Sequence, residues 1–186
     1  MPRRTKLDLV IAEVISHLKE VEGKIDRQEV DDLIGDIESA SAIFVYGAGR
    51  SGYVARSFAQ RLVQIGFRAF FVGETISPSA KKGDLLIVVT GSGTTQSVVA
   101  LVRSAAKLGL KICAISSNRN GPATRLADSV FMIPGKTKLL ERATFAPFTS
   151  LFDIASLMVL DGMTAELMER KGVTDEDIGR THANLE

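Results

Sequence analysis

Two glycine-rich turns, each set between a continuous apolar run and a helix-type run, constrain this chain more than any other feature. Ile43-Phe44-Val45-Tyr46 leads into Gly47-Ala48-Gly49-Arg50-Ser51-Gly52, and Leu85-Leu86-Ile87-Val88-Val89-Thr90 leads into Gly91-Ser92-Gly93-Thr94-Thr95-Gln96-Ser97. Apolar runs that do not alternate with polar residues belong to strands covered on both faces, as in a parallel sheet. A turn that ends such a strand and opens a helix aims backbone N–H groups and the positive end of a helix dipole at one point. Glycine allows close backbone approach, and serine and threonine add hydroxyl donors. Two such turns on one sheet predict a pocket for a phosphorylated small molecule.

Periodicity supplies the surroundings. Leu7, Val10, Ile11, Val14, Ile15 and Leu18 follow i, i+3, i+4 spacing and predict a helix over 6–20. A second helix is expected over 27–40, with Val30, Leu33, Ile34 and Ile37 on its apolar face. From Ser41 onward the signals alternate, with strands near 43–46, 68–72, 85–90, 111–115 and 129–133. The intervening helices are expected near 52–65, 95–108 and 121–127, and a long helix near 148–171. Repeated β-loop-α order predicts a three-layer, doubly wound α/β sheet that binds ligands beyond the carboxyl ends of its strands. The chain reads as one domain over 1–186, with an N-terminal helical segment (1–40) and a tail (172–186) in which Thr174-Asp175-Glu176-Asp177 opens a capped turn.

Composition narrows the classes of function. The 186 residues carry a net charge of +1 with acids and bases interspersed, which argues against a nucleic-acid partner. Asp8 and Glu13 interrupt what would be the apolar segment of a signal peptide. The apolar stretch near Leu151–Leu167 contains Asp153, Asp161 and Glu166, so no membrane span is expected. Two histidines and one cysteine supply a transition-metal site poorly, and Cys113, within Lys111-Ile112-Cys113-Ala114-Ile115, reads as a buried small hydrophobe. The expectation is a cytoplasmic protein without a metal.

Several phosphate ligands fit a glycine turn. The first turn matches G-x-G-x-x-G, the dinucleotide fingerprint, and Glu74 follows a second strand where a ribose-binding acid would stand. That reading leaves the second turn unexplained, because a pyrophosphate held by backbone has little use for the hydroxyls of Ser92, Thr94, Thr95 and Ser97. A phosphomonoester dianion favours many converging donors. No Gly-Lys-Ser/Thr follows either turn, which excludes a nucleoside-triphosphate P-loop.

Gly49-Arg50-Ser51-Gly52 and Thr90-Gly91-Ser92-Gly93-Thr94-Thr95 resemble the two phosphate-binding signatures of the SIS (sugar isomerase) domain family. Gly73-Glu74-Thr75 and the ending His182-Ala183-Asn184-Leu185-Glu186 are similar to the 6-phospho-3-hexuloisomerases within it, and the likeness runs over nearly the whole chain. The resemblance implies interconversion of a 3-hexulose 6-phosphate with fructose 6-phosphate without metal or cofactor, by proton transfer through a cis-enediol. It assigns Ser51, Ser92 and Thr95 to the phosphate, with Gly49, Gly91 and Gly93 shaping the turns. Thr94 and Ser97 are weaker candidates, and Arg50 is expected to face the phosphate or the sugar oxygens. An N-cap role for the hydroxyls and a surface ion pair for Arg50 are the plain alternatives.

Hexuloisomerases usually carry glutamate at the start of the long C-terminal helix. The corresponding run here is Pro147-Phe148-Thr149-Ser150-Leu151-Phe152-Asp153, which makes Asp153 the expected base. The alternative is a carboxylate that merely favours the helix N-terminus. His182 is implied as the imidazole for proton shuttling or ring opening, which brings the tail to an active site. Glu74 is a secondary acid/base or sugar-hydroxyl ligand. The resemblance also implies a homo-oligomer, dimer or tetramer, with the first helix or the Leu157/Met158/Leu160 stretch at its interface. Another phosphosugar isomerase, a non-catalytic sugar-phosphate sensor and a nicotinamide enzyme are the rival readings.

Overall fold

The structure is a computed structural model and describes residues 4–135 and 144–181. Two helices, α1 (Lys6–Glu22) and α2 (Arg27–Ser39), precede an alternating series. That series runs β1 (Ile43–Gly47), α3 (Arg50–Gln64), β2 (Ala69–Phe71), β3 (Leu85–Val89), α4 (Gln96–Leu108), β4 (Lys111–Ser116) and β5 (Ser129–Met132). Helices α5 (Ser150–Lys171) and α6 (Asp175–Thr181) complete it. All strand pairs are parallel, in the order β2-β1-β3-β4-β5, so the winding reverses between β1 and β3.

The strands are apolar throughout because both faces are buried. Ile43, Val45, Ile87, Val89, Cys113 and Ile115 pack toward α1, α2, α3 and α5. Phe44, Leu86, Val88, Ile112 and Ala114 pack on the other face against Val98, Val102 and Ala105 of α4. Each such aliphatic side chain contributes ~1.5–3 kcal/mol by leaving water. The expected doubly wound α/β fold is therefore present, with its helical layers unequal among the described residues: α1, α2, α3 and α5, joined by Ile178 of α6, cover one face and α4 covers the other.

Helix starts explain themselves locally. At α1, Thr5 and Asp8 form a reciprocal capping box, with Thr5 N donating to Asp8 Oδ2 at 2.7 Å. The expected capped turn in the tail is α6, where Thr174 N and Oγ1 donate to Asp177 Oδ2 at 3.0 and 2.8 Å. The Thr5 hydroxyl and N–H hold the Asp8 carboxyl below its ordinary pKa, and the Thr174 N–H and hydroxyl do the same for Asp177.

One expected element is absent. The 121–127 segment is not an α-helix; only a 3₁₀ turn, Thr124–Leu126, forms there. Its backbone is committed elsewhere, since Ala123 N donates to Gly93 O at 2.9 Å and a Cβ on Gly121 would lie 2.7 Å from Gly93 Cα. Close docking on the second glycine turn takes the bonds that a helix needs. The long helix also begins later than 148, because Thr149 adopts φ +62° and cannot continue a right-handed turn.

Candidate active site

Register brings the two glycine turns together. Gly47 at the end of β1 pairs with Val89 at the end of β3, so both turns leave the sheet at its topological switch point. The first turn closes because two glycines meet: a Cβ on Gly47 would lie 2.5 Å from Ser51 O, and one on Gly52 would lie 2.7 Å from Gly47 O. Gly49 takes φ +59° as the N-cap of α3, and Thr95 is the N-cap of α4. Neither helix start has a side-chain cap hydrogen bond, unlike α1. Two helix N-termini with their first-turn donors left uncapped thus flank one place in the fold.

Other groups turn the second loop's carbonyls away. Ser117 Oγ and Ser116 Oγ donate to Gly91 O at 2.9 and 3.2 Å, and Asn118 Nδ2 donates to Ser92 O at 2.9 Å. Tying off these oxygens removes negative ends that would oppose an anion. Arg119, beside Asn118, pairs with Glu29 of α2, whose Oε2 also accepts from Met132 N at 2.7 Å. The sequence singled out none of these braces, because carbonyl-binding serines and asparagines look like ordinary turn residues.

Between the turns lies a cavity of about 330 Å³. Gly49, Arg50 and Ser51 line it from the first turn, Gly91, Ser92 and Thr95 from the second, and Phe148, Thr149 and Phe152 from the start of α5. Ser92 Oγ shares a 2.8 Å hydrogen bond with Thr94 Oγ1, so Thr94 steadies Ser92 from outside the lining. Gly93, at φ +67°, sits behind the turn against Gly121. Ser97 is exposed on α4 and Glu74 pairs with Arg56 at 3.0 Å; neither lines the cavity. Arg56 in turn stacks on Phe71, 3.7 Å from the ring centroid. His182 lies outside the described residues.

Asp153 stands directly behind this cavity. It is 3% exposed and accepts from Ser51 Oγ at 2.8 Å, Thr149 Oγ1 at 2.9 Å and Arg50 Nε at 3.3 Å. Ser51 and Thr149 face the cavity, while Asp153 lines an adjoining cleft of about 260 Å³ with Tyr53, Leu157 and Arg50. Arg50 borders both spaces and its side chain is 61% exposed. Thr149 was not a sequence candidate. Its left-handed backbone, held by the α5 start, is what turns its hydroxyl onto Asp153.

Among the described residues no group of three or more His, Cys, Asp or Glu is placed to hold a metal ion, and no helix is long and apolar enough to cross a membrane. Cys113 is buried in β4, and burial pushes its thiol up to about 11, which leaves it inert as a nucleophile.

Comparison with known proteins places this geometry. The SIS domain model matches residues 36–160. A Bacillus subtilis protein named 3-hexulose-6-phosphate isomerase is 37% identical over 95% of this chain and 97% of its own length. A protein of the same name from Methanocaldococcus jannaschii is 36% identical, covering 100% of this chain and 99% of its own. A crystal structure from Methanococcus jannaschii, described as inferring a 3-hexulose-6-phosphate isomerase function, superposes with a TM-score of 0.83 at 36% identity over 97% of this chain and 99% of that one.

Proposed function

The chain belongs to the SIS domain family, and on that premise we propose that it interconverts 3-hexulose 6-phosphate and fructose 6-phosphate. One observation carries the reading: two hydroxyl-bearing turns, with uncapped helix starts behind them, open into a single cavity. A phosphomonoester dianion accepts there from Ser51, Ser92, Thr95, backbone N–H groups and Arg50. Hydrogen bonds to a charged acceptor contribute ~1.5–3 kcal/mol each. Spent on the far end of the sugar, that energy fixes the carbonyl end in place.

The bond chemistry is a proton shift between adjacent carbons. A base takes the proton from C2 of the 3-ketose, leaving a C2–C3 enediolate. Reprotonation at C3 and transfer of a proton from the C2 oxygen to the C3 oxygen give the 2-ketose. Asp153 is our candidate base, and the groups that cover it suggest how it is released. Ser51 has one hydroxyl proton, which goes to Asp153 Oδ1, and Arg50 Nε lies on Oδ2. An arriving phosphate competes for both donors. Turning them onto the phosphate uncovers Asp153, while the carbon chain passes over Arg50 into the cleft where the carboxylate lies. Arg50 and backbone donors then offset the charge growing on the enediolate. His182 is our candidate for moving the oxygen-bound proton, since an imidazole is the side chain that both gives and takes a proton around neutral pH.

We read the chain as one SIS unit with a helical pair in front, acting as a dimer or tetramer. Leu7, Ile11 and Ile15 of α1 and Leu157 and Met158 of α5 are exposed apolar residues that support such an interface, whereas Leu160 is used in the core. A phosphorylated substrate and a lone buried thiol favour a cytoplasmic setting, within formaldehyde fixation or pentose supply by the ribulose monophosphate route. A coupled assay is the test: purified protein with 3-hexulose 6-phosphate, read as fructose 6-phosphate formed. Turnover is expected; binding of the sugar phosphate without isomerisation would instead make the chain a sensor.

A further inference from the structure

The segment that leads into α5 carries two residues of the cavity wall, Phe148 and Thr149, and its backbone is fastened from outside the family's matched region. Glu13, on α1, lies before residues 36–160. Its Oε2 accepts from Phe145 N at 2.7 Å and from Ala146 N at 3.0 Å. Lys6, two turns earlier on α1, lies over the Phe145 ring, 5.5 Å from its centroid. Helix α1 therefore grips one short stretch of backbone at two points more than 130 residues away in sequence.

From that grip to the site the path is short and stiff. Ala146 is buried, Pro147 has a fixed φ, and Ser150 N closes back on Pro147 O at 3.0 Å. Phe148 and Thr149 follow at the cavity wall, and Asp153 comes one helical turn after Thr149. Thr149 holds a left-handed backbone, which a threonine keeps only where its surroundings impose it. A carboxylate that accepts two successive N–H groups fixes both the position and the direction of the chain entering this turn.

We propose that Glu13 is a positioning residue for the active site: it anchors backbone 145–146 and so sets Thr149, and through it Asp153, against Ser51 and Arg50. The inference rests on the isomerase reading only for its kinetic consequence. The helical pair in front of the matched region is then part of the working site and not only a cover for the sheet.

The test uses the full chain with Glu13→Ala, Glu13→Gln and Thr5→Ala. A shift of about 1 Å at reacting groups costs on the order of 100-fold, so Glu13→Ala is expected to lower kcat by roughly 10- to 100-fold. The inhibition constant for inorganic phosphate should stay within about twofold, because both glycine turns are untouched. Glu13→Gln keeps an oxygen acceptor and should recover most of kcat; it also serves if the alanine variant does not fold. Thr5→Ala removes the cap at the start of α1, beside Lys6, but leaves both Glu13 bonds to 145–146 in place, and should lower Tm with kcat within about threefold of wild type. Amide hydrogen exchange at residues 145–153, read without any substrate, should speed up in Glu13→Ala well beyond any change in Thr5→Ala. Unaltered exchange at 149–153, or an equal loss of kcat in Thr5→Ala and Glu13→Ala, would overturn the proposal. A wild-type protein that turns over no hexulose phosphate would sink the isomerase reading, and the exchange measurement would still decide the role of Glu13.

Discussion

Asp153→Asn separates the two things that this carboxylate does. It bridges α3 and α5, and in our reading it also removes the proton. The structural cost follows from its three donors. Asparagine keeps one acceptor oxygen and brings an NH₂ to the other position. Ser51 and Thr149 hydroxyls can rotate to accept from that NH₂, but Arg50 Nε cannot. The Arg50 side chain is 61% exposed, so its pair with Asp153 falls near the surface range of about 0–1 kcal/mol. Adding weakened hydroxyl bonds gives a loss of about 1–2 kcal/mol, or roughly 2–8 °C in Tm for a chain of this size. Removing a general base costs far more in rate, about 10²- to 10⁴-fold. Calorimetry beside the coupled assay therefore gives two readouts on different scales, a small drop in Tm and a collapse of kcat. Asp153→Glu keeps a carboxylate at this position and should retain turnover. A kcat for Asp153→Asn within threefold of wild type, with Tm lowered as stated, would leave Asp153 a structural bridge and refute its role as base.

Ser92→Ala removes one donor that our reading places on the phosphate, and should raise KM by about 10-fold or more with a smaller change in kcat, measured by initial rates at saturating and limiting substrate. Gly121→Ala would place a Cβ 2.7 Å from Gly93 Cα, and the overpacking should cost about 1–3 kcal/mol in denaturant unfolding and weaken inorganic phosphate binding. Cys113, with its thiol pushed up to about 11 by burial, holds its proton at pH 8, where a free thiol is partly ionised. Native protein should resist iodoacetamide at that pH and react once unfolded in guanidinium; rapid labelling of the native form would contradict the burial. His182→Ala should lower kcat by about 10²-fold or more with little change in Tm if the imidazole moves the oxygen-bound proton, and unchanged kcat would remove it from the mechanism.

Much of the fold was readable because it is written in short-range patterns. Continuous apolar runs marked all five strands, and i, i+3, i+4 spacing marked α1 and α2. The 121–127 segment misled because its fate is decided at long range: Gly121 is there to let the backbone press on Gly93, which no local propensity records. The site divided in the same way. Ser51, Ser92 and Thr95 stood out because their turns follow strands and open helices, and all three line the cavity. Thr94 and Ser97 stand beside them in sequence but do not line the cavity, since a helix or turn sends adjacent side chains in different directions, and Glu74, beyond β2, is taken by Arg56. Thr149, Asn118 and Glu13 were silent. Their parts depend on a left-handed residue, a tied carbonyl and a contact across more than 130 residues.

The arrangement around Asp153 has a physical logic beyond any single contact. A carboxylate removed from water and left without partners would keep its proton and fail as a base. Asp153 has such partners: Ser51, Thr149 and Arg50 donate to its two carboxylate oxygens. Two of those three donors belong to the turn expected to receive the phosphate, so in our reading the candidate base stays covered until the anion that draws them off has arrived. Phosphate binding energy is then used twice, once to hold the sugar and once to uncover the base, and a sugar without its phosphate forfeits both.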